Sequence, residues 1–481
     1  MDISSIQFLF LFLPIFVVLY LLAKKELRLL LVIIASLVFL AWGQNKVVLW
    51  LGGILLASYG IGLLLPHAKE RKKSFWLWVG LGVNLVILAA FKVLTAYGSK
   101  LVVILNIPSE MQPSFTTLTV PLGLSFVTFQ AISYLVDVWK GTIPPEKNIL
   151  RFSAYLLFFP KLVSGPLMRY KPFADQINEL NPSFENMAAG MRRLFTGFIK
   201  RILIANQVAL IANSVFNLPQ PNVTPQFAWL GLIAYTLQIY FDFSGYTDMA
   251  IGLGMMMGIQ LPENFNFPYI SQSISEFWRR WHMTLSLWFR EYVFFPLERQ
   301  RFKWLGQQIN IVIVFLLTGL WHGVKLTFIA WGLMYGFFIA LESLGFGRWL
   351  SRVWRPIRHI YTLAIVMGGW VLFRSNGLRF ALGFFRRLAG DSSGLTPLPF
   401  SVTTPLPFLV PSILLAVLVG IIFSLPLSSA FAQWRSGVEK NEQKTYFVFQ
   451  ITADLLLSAL FILGMAATLG QSFMPNIYAS F

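Results

Sequence analysis

Four histidines are the side chains in this sequence suited to proton transfer near neutral pH, and two of them sit in unusual company. His322 stands in Leu317-Thr318-Gly319-Leu320-Trp321-His322-Gly323, in a short break between two apolar stretches. An ionisable group placed inside a membrane is expensive and is a functional hypothesis by default. Gly319 and Gly323 carry no side-chain bulk and would let a substrate or a neighbouring helix approach closely. The plainer reading is a packing histidine bonded to a carbonyl. His282 lies in the run from Ser273 to Arg290, where Trp278, His282 and Ser286 share one face at helical spacing. Arg279, Arg280 and Arg290 put three guanidinium groups on the same segment, which suits a phosphate-bearing donor held beside Trp278 and His282. An interfacial helix would have the same composition. His67, beside Pro66, and His359, which closes the basic run from Arg352, read as interfacial decoration.

The chain has no cysteine, so thiolate metal sites, disulfides, palmitoylation and a Cys acyl-enzyme are excluded. Any acyl chemistry falls to His, Ser, Thr or direct transfer. His282 and His322 lie far apart in sequence with no third ligand at recognisable spacing, so no metal site is expected. Upstream, Tyr240-Phe241-Asp242-Phe243-Ser244-Gly245-Tyr246-Thr247-Asp248 puts two carboxylates into an apolar span. Asp242 and Asp248 cannot both face lipid. A structural pair with Arg279, Arg280 or Arg290 is expected for at least one of them, and Ser244 and Trp321 are expected to line the same interior.

These residues need a membrane to hold them. Of 481 residues, 56% are hydrophobic and 12% charged, about half the charge of a soluble domain. Hydrophobic stretches recur near 6–23, 29–42, 47–65, 75–95, 117–138, 152–165, 194–216, 226–256, 307–320, 325–345, 360–373, 407–426 and 447–469. They predict one all-α integral membrane domain over 1–481, with about eleven crossings and one or two re-entrant elements. The stretch from Phe8 to Leu22 lacks a basic lead-in and a cleavage site, and reads as a retained first span.

The net charge of +18 is spread between the spans rather than gathered in one arm, which speaks for loop orientation and against nucleic acid. Lys24, Lys25 and Arg28 follow the first span and Lys69, Arg71, Lys72 and Lys73 the third, across the short linker Gly43-Gln44-Asn45-Lys46. The N-terminus is therefore expected outside. Alternation then makes 140–147, 192–201 and 279–304 cytoplasmic, and the loops near 96–116 and 217–225 extracytoplasmic. His282 falls near the inner side and His322 deeper toward the outer side, as in a channel reached by a donor from within and an acceptor from without. The basic cluster at 374–387 fits this scheme poorly, because alternation places it outside.

At these positions the chain resembles the membrane-bound O-acyltransferase family, in the branch that acetylates alginate and other exopolysaccharides. The matching pieces span most of the chain. They include Phe8 to Pro14, Pro121-Leu122-Gly123-Leu124-Ser125-Phe126 with Thr128-Phe129-Gln130, and Phe159-Pro160 with Ser164-Gly165-Pro166. The Asp242–Asp248 segment, Asn264-Phe265-Asn266 with Pro268-Tyr269, the His282 segment and Trp321-His322-Gly323 follow in order. The resemblance implies a bundle of tilted helices pierced by a central tunnel, with His322 as the essential catalytic residue and His282 as the second active-site residue. It implies no permanently bound cofactor, acetyl-CoA or another acyl thioester as donor, and a bacterial inner-membrane location. It also implies a polysaccharide acceptor and an extracytoplasmic partner of the SGNH acyltransferase type.

On this reading His322 acts as general base, or takes the acyl group transiently, while His282 positions the donor or polarises its carbonyl. D-alanyl transfer to teichoic acid from a carrier-protein thioester is the alternative within the family. A transporter with structural histidines is the alternative outside it, although no internal repeat of the kind common in transporters is visible.

Overall fold

A computed structural model of the chain describes residues 1–42, 45–104, 106, 108, 120–178, 180, 182–299, 306–396, 406–427 and 443–470. All regular structure among them is helical. Among the described residues six helices are long and apolar enough to cross a membrane, and Phe8–Leu22, Leu124–Trp139 and Pro411–Phe423 are shorter apolar helices. The linker residues 43–44, residues 105, 107 and 109–116 of the expected 96–116 loop, and the end of the basic 279–304 stretch lie outside the described residues, and 96–104 are not loop but the end of the helix Glu70–Ile104. The contacts divide the chain into two compact units.

The first unit holds residues 1–194 and 246–263. Phe8, Phe12 and Phe16 recur every four residues and so share a face, and all three rings pack on Phe159 at centroid distances of 6.1, 5.4 and 5.4 Å. The apolar run predicted over 152–165 does not make one helix. It breaks at Phe158 into Ile149–Leu157 and Phe159–Leu162, because Pro160 cannot donate within a continuous helix. Neither piece is long enough to cross a bilayer.

The second unit holds residues 195–245 and 264–474. The long helix α1 (Pro225–Met256) carries Asp242 and Ser244. Two seven-residue helices, α2 (Ile274–Arg280) and α3 (Met283–Phe289), precede α4 (Gly306–His322) and α5 (Leu326–Leu341). The last pair packs as a close antiparallel hairpin. A Cβ on Gly319 would stand 2.4 Å from the Phe328 carbonyl oxygen, and one on Gly332 2.4 Å from that of Phe315. Small residues at the crossing let the backbones meet, as membrane helices commonly do. Of the two guests allowed by the sequence at Gly319 and Gly323, the neighbouring helix is the one that arrives: a Cβ on Gly323 would also strike the Phe328 ring at 2.7 Å. Next come α6 (Arg355–Arg374) and the amphipathic α7 (Leu378–Leu388).

Candidate active site

The helix expected around His282 is interrupted at that residue. Ser273 caps α2 by accepting from the Glu276 N–H at 3.0 Å, and Glu276 in turn accepts from the Gln272 N–H at 2.9 Å, a variant of the capping box. Eight residues after Ser273 the chain turns extended at Trp281, and His282 adopts φ 45°, ψ 51°. Few residues other than glycine take this left-handed conformation, which costs on the order of 1–2 kcal/mol and tends to occur at functional sites. Trp278, His282 and Ser286 therefore do not lie on one continuous helical face.

The segment Asn264–Asn266 bridges the break. The Asn266 N–H donates to the Arg280 carbonyl at 2.9 Å and the Met283 N–H to that of Asn264 at 3.0 Å. The side chain of Asn264, fully buried, fixes the imidazole. Its Oδ1 accepts from the Thr284 N–H at 3.2 Å and from the Thr284 hydroxyl at 2.9 Å, and it lies 3.1 Å from His282 Nδ1. A backbone N–H can only donate, so the atom facing His282 is an acceptor and Nδ1 carries the proton. The Nε2 atom of the neutral ring is then the lone-pair nitrogen. Burial lowers the His282 pKa, which favours that neutral form. Sequence reasoning quoted Asn264 without giving it a role; the signal was a buried-type amide beside a second asparagine in an aromatic run.

His282 and His322 both lie near one indole: Trp321 is 6.5 Å from the His282 ring and 4.5 Å from the His322 ring, centroid to centroid. Phe243 meets His282 edge-on at 4.7 Å. His322, the last residue of α4, is 4% exposed and packs on Trp331 at 5.1 Å and Phe373 at 4.9 Å. A cavity of about 520 Å³ opens beside this group, lined on one side by Trp278, Arg279, Ser286 and Arg290 and on the other by Phe315 and Thr318. Thr318 is one turn before His322, and Trp278 of the cavity wall packs at 5.6 Å on Trp331, the ring that contacts His322, although neither histidine lines the cavity itself.

Other expectations resolve differently. Trp278, Arg279 and Arg290 do line the cavity. Arg280 is committed elsewhere, to Glu276 at 2.9 Å and to the Asn266 carbonyl at 3.2 Å. Asp242 is paired, but not with Arg279, Arg280 or Arg290: its partner at 3.0 Å is Arg201, whose side chain is fully buried in the π-helical turn Lys200–Ala205. Asp248 belongs to the first unit and pairs there with Arg193 at 2.6 Å, which also holds Glu263 at 2.7 Å. Neither carboxylate lines the cavity, nor do Trp321 and Ser244, the latter buried with no hydrogen bond among the described residues. The correction has a simple cause: the nearest basic residues in sequence are not those a folded helix pair brings alongside.

Glu342 is the second residue sequence reasoning passed over, although an acid in the apolar 325–345 run was a visible signal. It caps α2 from outside, accepting from the N–H groups of Ile274 at 2.7 Å and Ser275 at 2.9 Å and from the Ser275 hydroxyl at 2.6 Å. A carboxylate at a helix N-terminus is favourable, and this one ties the helix that bears Trp278 and Arg279 to the end of α5.

Comparison with known proteins places these residues in a family. The model of the membrane-bound O-acyltransferase family matches residues 144–372, a span that includes both His282 and His322. The probable alginate O-acetylase of Pseudomonas aeruginosa is 42% identical over 393 residues, covering 79% of this chain and 73% of that protein. The peptidoglycan O-acetyltransferase of Helicobacter pylori is 32% identical, covering 74% and 73%. The teichoic acid D-alanyltransferase of Bacillus subtilis is 31% identical, covering 57% of this chain and 72% of its own length.

Proposed function

The chain belongs to the membrane-bound O-acyltransferase family, and on that premise we propose that it carries an acetyl group from a cytoplasmic thioester toward an extracytoplasmic polysaccharide. The observation that supports this reading most is the placement of His322 and His282 near one indole, with a 520 Å³ cavity lined by Arg279 and Arg290 one helical turn from His322 at Thr318. In this reading the apolar wall takes the acyl arm and the two guanidinium groups take the phosphates of a donor such as acetyl-CoA. The family resemblance supports a bacterial inner-membrane location and an SGNH-type partner outside, and the basic residues after the first and third spans support an extracytoplasmic N-terminus.

The proposed reaction balances without a metal or bound cofactor. An acceptor hydroxyl oxygen attacks the thioester carbonyl carbon, the C–S bond breaks, and the hydroxyl proton passes to the imidazole of His322 and on to the departing thiolate. His282 cannot polarise the carbonyl through Nε2 while its only ring proton is directed at Asn264. Its remaining roles are to position the donor or to accept a proton. Asn264→Ala removes the acceptor that sets this tautomer, and the acetyl-transfer rate is expected to fall on the order of 10²-fold, with donor KM changed far less. An unchanged rate in membranes containing normal amounts of the variant would show that the tautomer is irrelevant.

The donor is tested directly in washed membranes. Labelled acetyl-CoA is expected to label polysaccharide, and a D-alanyl-charged carrier protein is not. Labelling from the carrier protein alone would overturn the acetyl reading in favour of the alanyl one.

A further inference from the structure

Arginines crowd both ends of α6. Arg355 and Arg358 lie in its first turn and Arg374 is its last residue, with Arg379, Arg386 and Arg387 following on α7. The helix is 20 residues long, about 30 Å and enough to span the apolar core of a bilayer. The preference for basic residues on the cytoplasmic side explains one end of such a helix and not the other.

The contacts tell the two ends apart. Near the first, the Tyr361 hydroxyl donates to Glu342, which caps the helix carrying Trp278 and Arg279 on the cavity wall. At the second, Phe373 packs against His322, and Arg374 is the next residue. The basic segment 374–387 therefore begins where the His322 pocket ends, away from the cavity lined by Arg279 and Arg290.

Two of its four arginines are used internally. Arg374 donates to Asn213 at 2.9 Å, and Arg387, 6% exposed, donates to the carbonyls of Asp391 and Ser393 at 2.7 and 2.8 Å. Arg379 and Arg386 are exposed and make no ion pair among the described residues. Seven residues apart, they share a face of α7 with a spacing of roughly 10 Å. The opposite face is anchored: Phe384 stacks on Phe216 at 4.6 Å, and the Trp229 indole donates to the Leu388 carbonyl at 3.1 Å. Asp391 is the one acid between 374 and 396. The pair is thus a fixed cationic rail beyond the matched family segment, which ends at 372.

We propose that Arg379 and Arg386 dock the carboxylate groups of an acidic polysaccharide and lead its hydroxyls toward His322. The proposal rests on the acyl-transfer reading above for its sidedness. Carboxylates match guanidinium groups in bidentate geometry, and a polymer of acidic sugars presents them at regular intervals along an extended chain. Anionic lipid is a weaker match, because the strongly negative surface is that of the cytoplasmic leaflet.

The test separates binding from transfer. Full-length protein in neutral detergent is titrated with uronic acid oligomers and with neutral dextran oligomers of equal length. The Arg379→Gln/Arg386→Gln double variant is expected to lose roughly tenfold in affinity for the uronate, with dextran unaffected, while turnover of labelled acetyl-CoA without polymer stays at the wild-type level. Absent donor turnover in the wild-type protein would count against acyl transfer, not against the rail. Unchanged uronate affinity in the variant, an equal loss for dextran, or competition by anionic vesicles but not by free uronate would each overturn the proposal. So would retained uronate affinity alongside lost binding of an acidic protein. Should the variant express poorly, the wild type carries the test: uronate binding that does not weaken between about 50 and about 200 mM salt overturns it as well.

Discussion

His322→Ala is expected to abolish acetyl transfer to polysaccharide, with a loss on the order of 10²–10⁴ in rate. The substitution removes a ring that packs on Trp321, Trp331 and Phe373 as well as the base, so a second variant is needed. His322→Asn keeps a polar side chain but has no group that titrates near neutrality. Both variants are expected to insert normally and to elute from a sizing column as the wild type does, because α4 is held to α5 by Gly319 and Gly332 rather than by the imidazole. The measurement is incorporation of labelled acetyl groups into polymer per mole of protein in membranes. Near-normal incorporation in His322→Asn would reduce His322 to a packing residue, and the enzymatic account of this site would fail with it.

The Arg201→Met variant is expected to be destabilised by about 3–5 kcal/mol. Arg201 is 0% exposed and its Nε lies 3.0 Å from Asp242 Oδ1, whose side chain is 6% exposed. Without the guanidinium the Asp242 carboxylate loses this ion pair while staying buried in an apolar helix bundle. Removing both charges in Arg201→Met/Asp242→Leu leaves nothing to neutralise, and much of the stability is expected to return. The readout is the thermal unfolding midpoint of detergent-solubilised protein, taken with yield. Activity follows stability here, since Phe243, next to Asp242, is the ring that meets His282 edge-on at 4.7 Å. A single variant as stable as the wild type would show that the pair contributes nothing to the fold.

Much of the fold was legible because hydrophobicity and charge act locally along the chain. The stretches near 226–256, 325–345 and 447–469 correspond to Pro225–Met256, Leu326–Leu341 and Gln443–Gly470. A segment that is apolar and long has few choices but a helix. At 152–165, a stretch short for a crossing, Pro160 splits the apolar run; the reading failed at 273–290, where helical spacing was carried through His282. In the second case nothing local forbids a continuous helix. The break is stabilised by bonds from Asn264 and Asn266, which stand far enough away in sequence that their effect is invisible to periodicity.

By itself, then, the sequence determined the chemistry available: imidazole and no thiol, a membrane setting, and His322 beside small residues in an apolar context. Residue identity and polarity are properties of each position, so they can be read without a fold. Only the tertiary structure decided which groups meet. It paired Asp242 with Arg201 and Asp248 with Arg193, took Arg280 out of the cavity, and turned the His282 proton toward Asn264. Partners in a bundle are set by which helix faces come together across tens of residues, and a charge is satisfied by whatever group is closest in space.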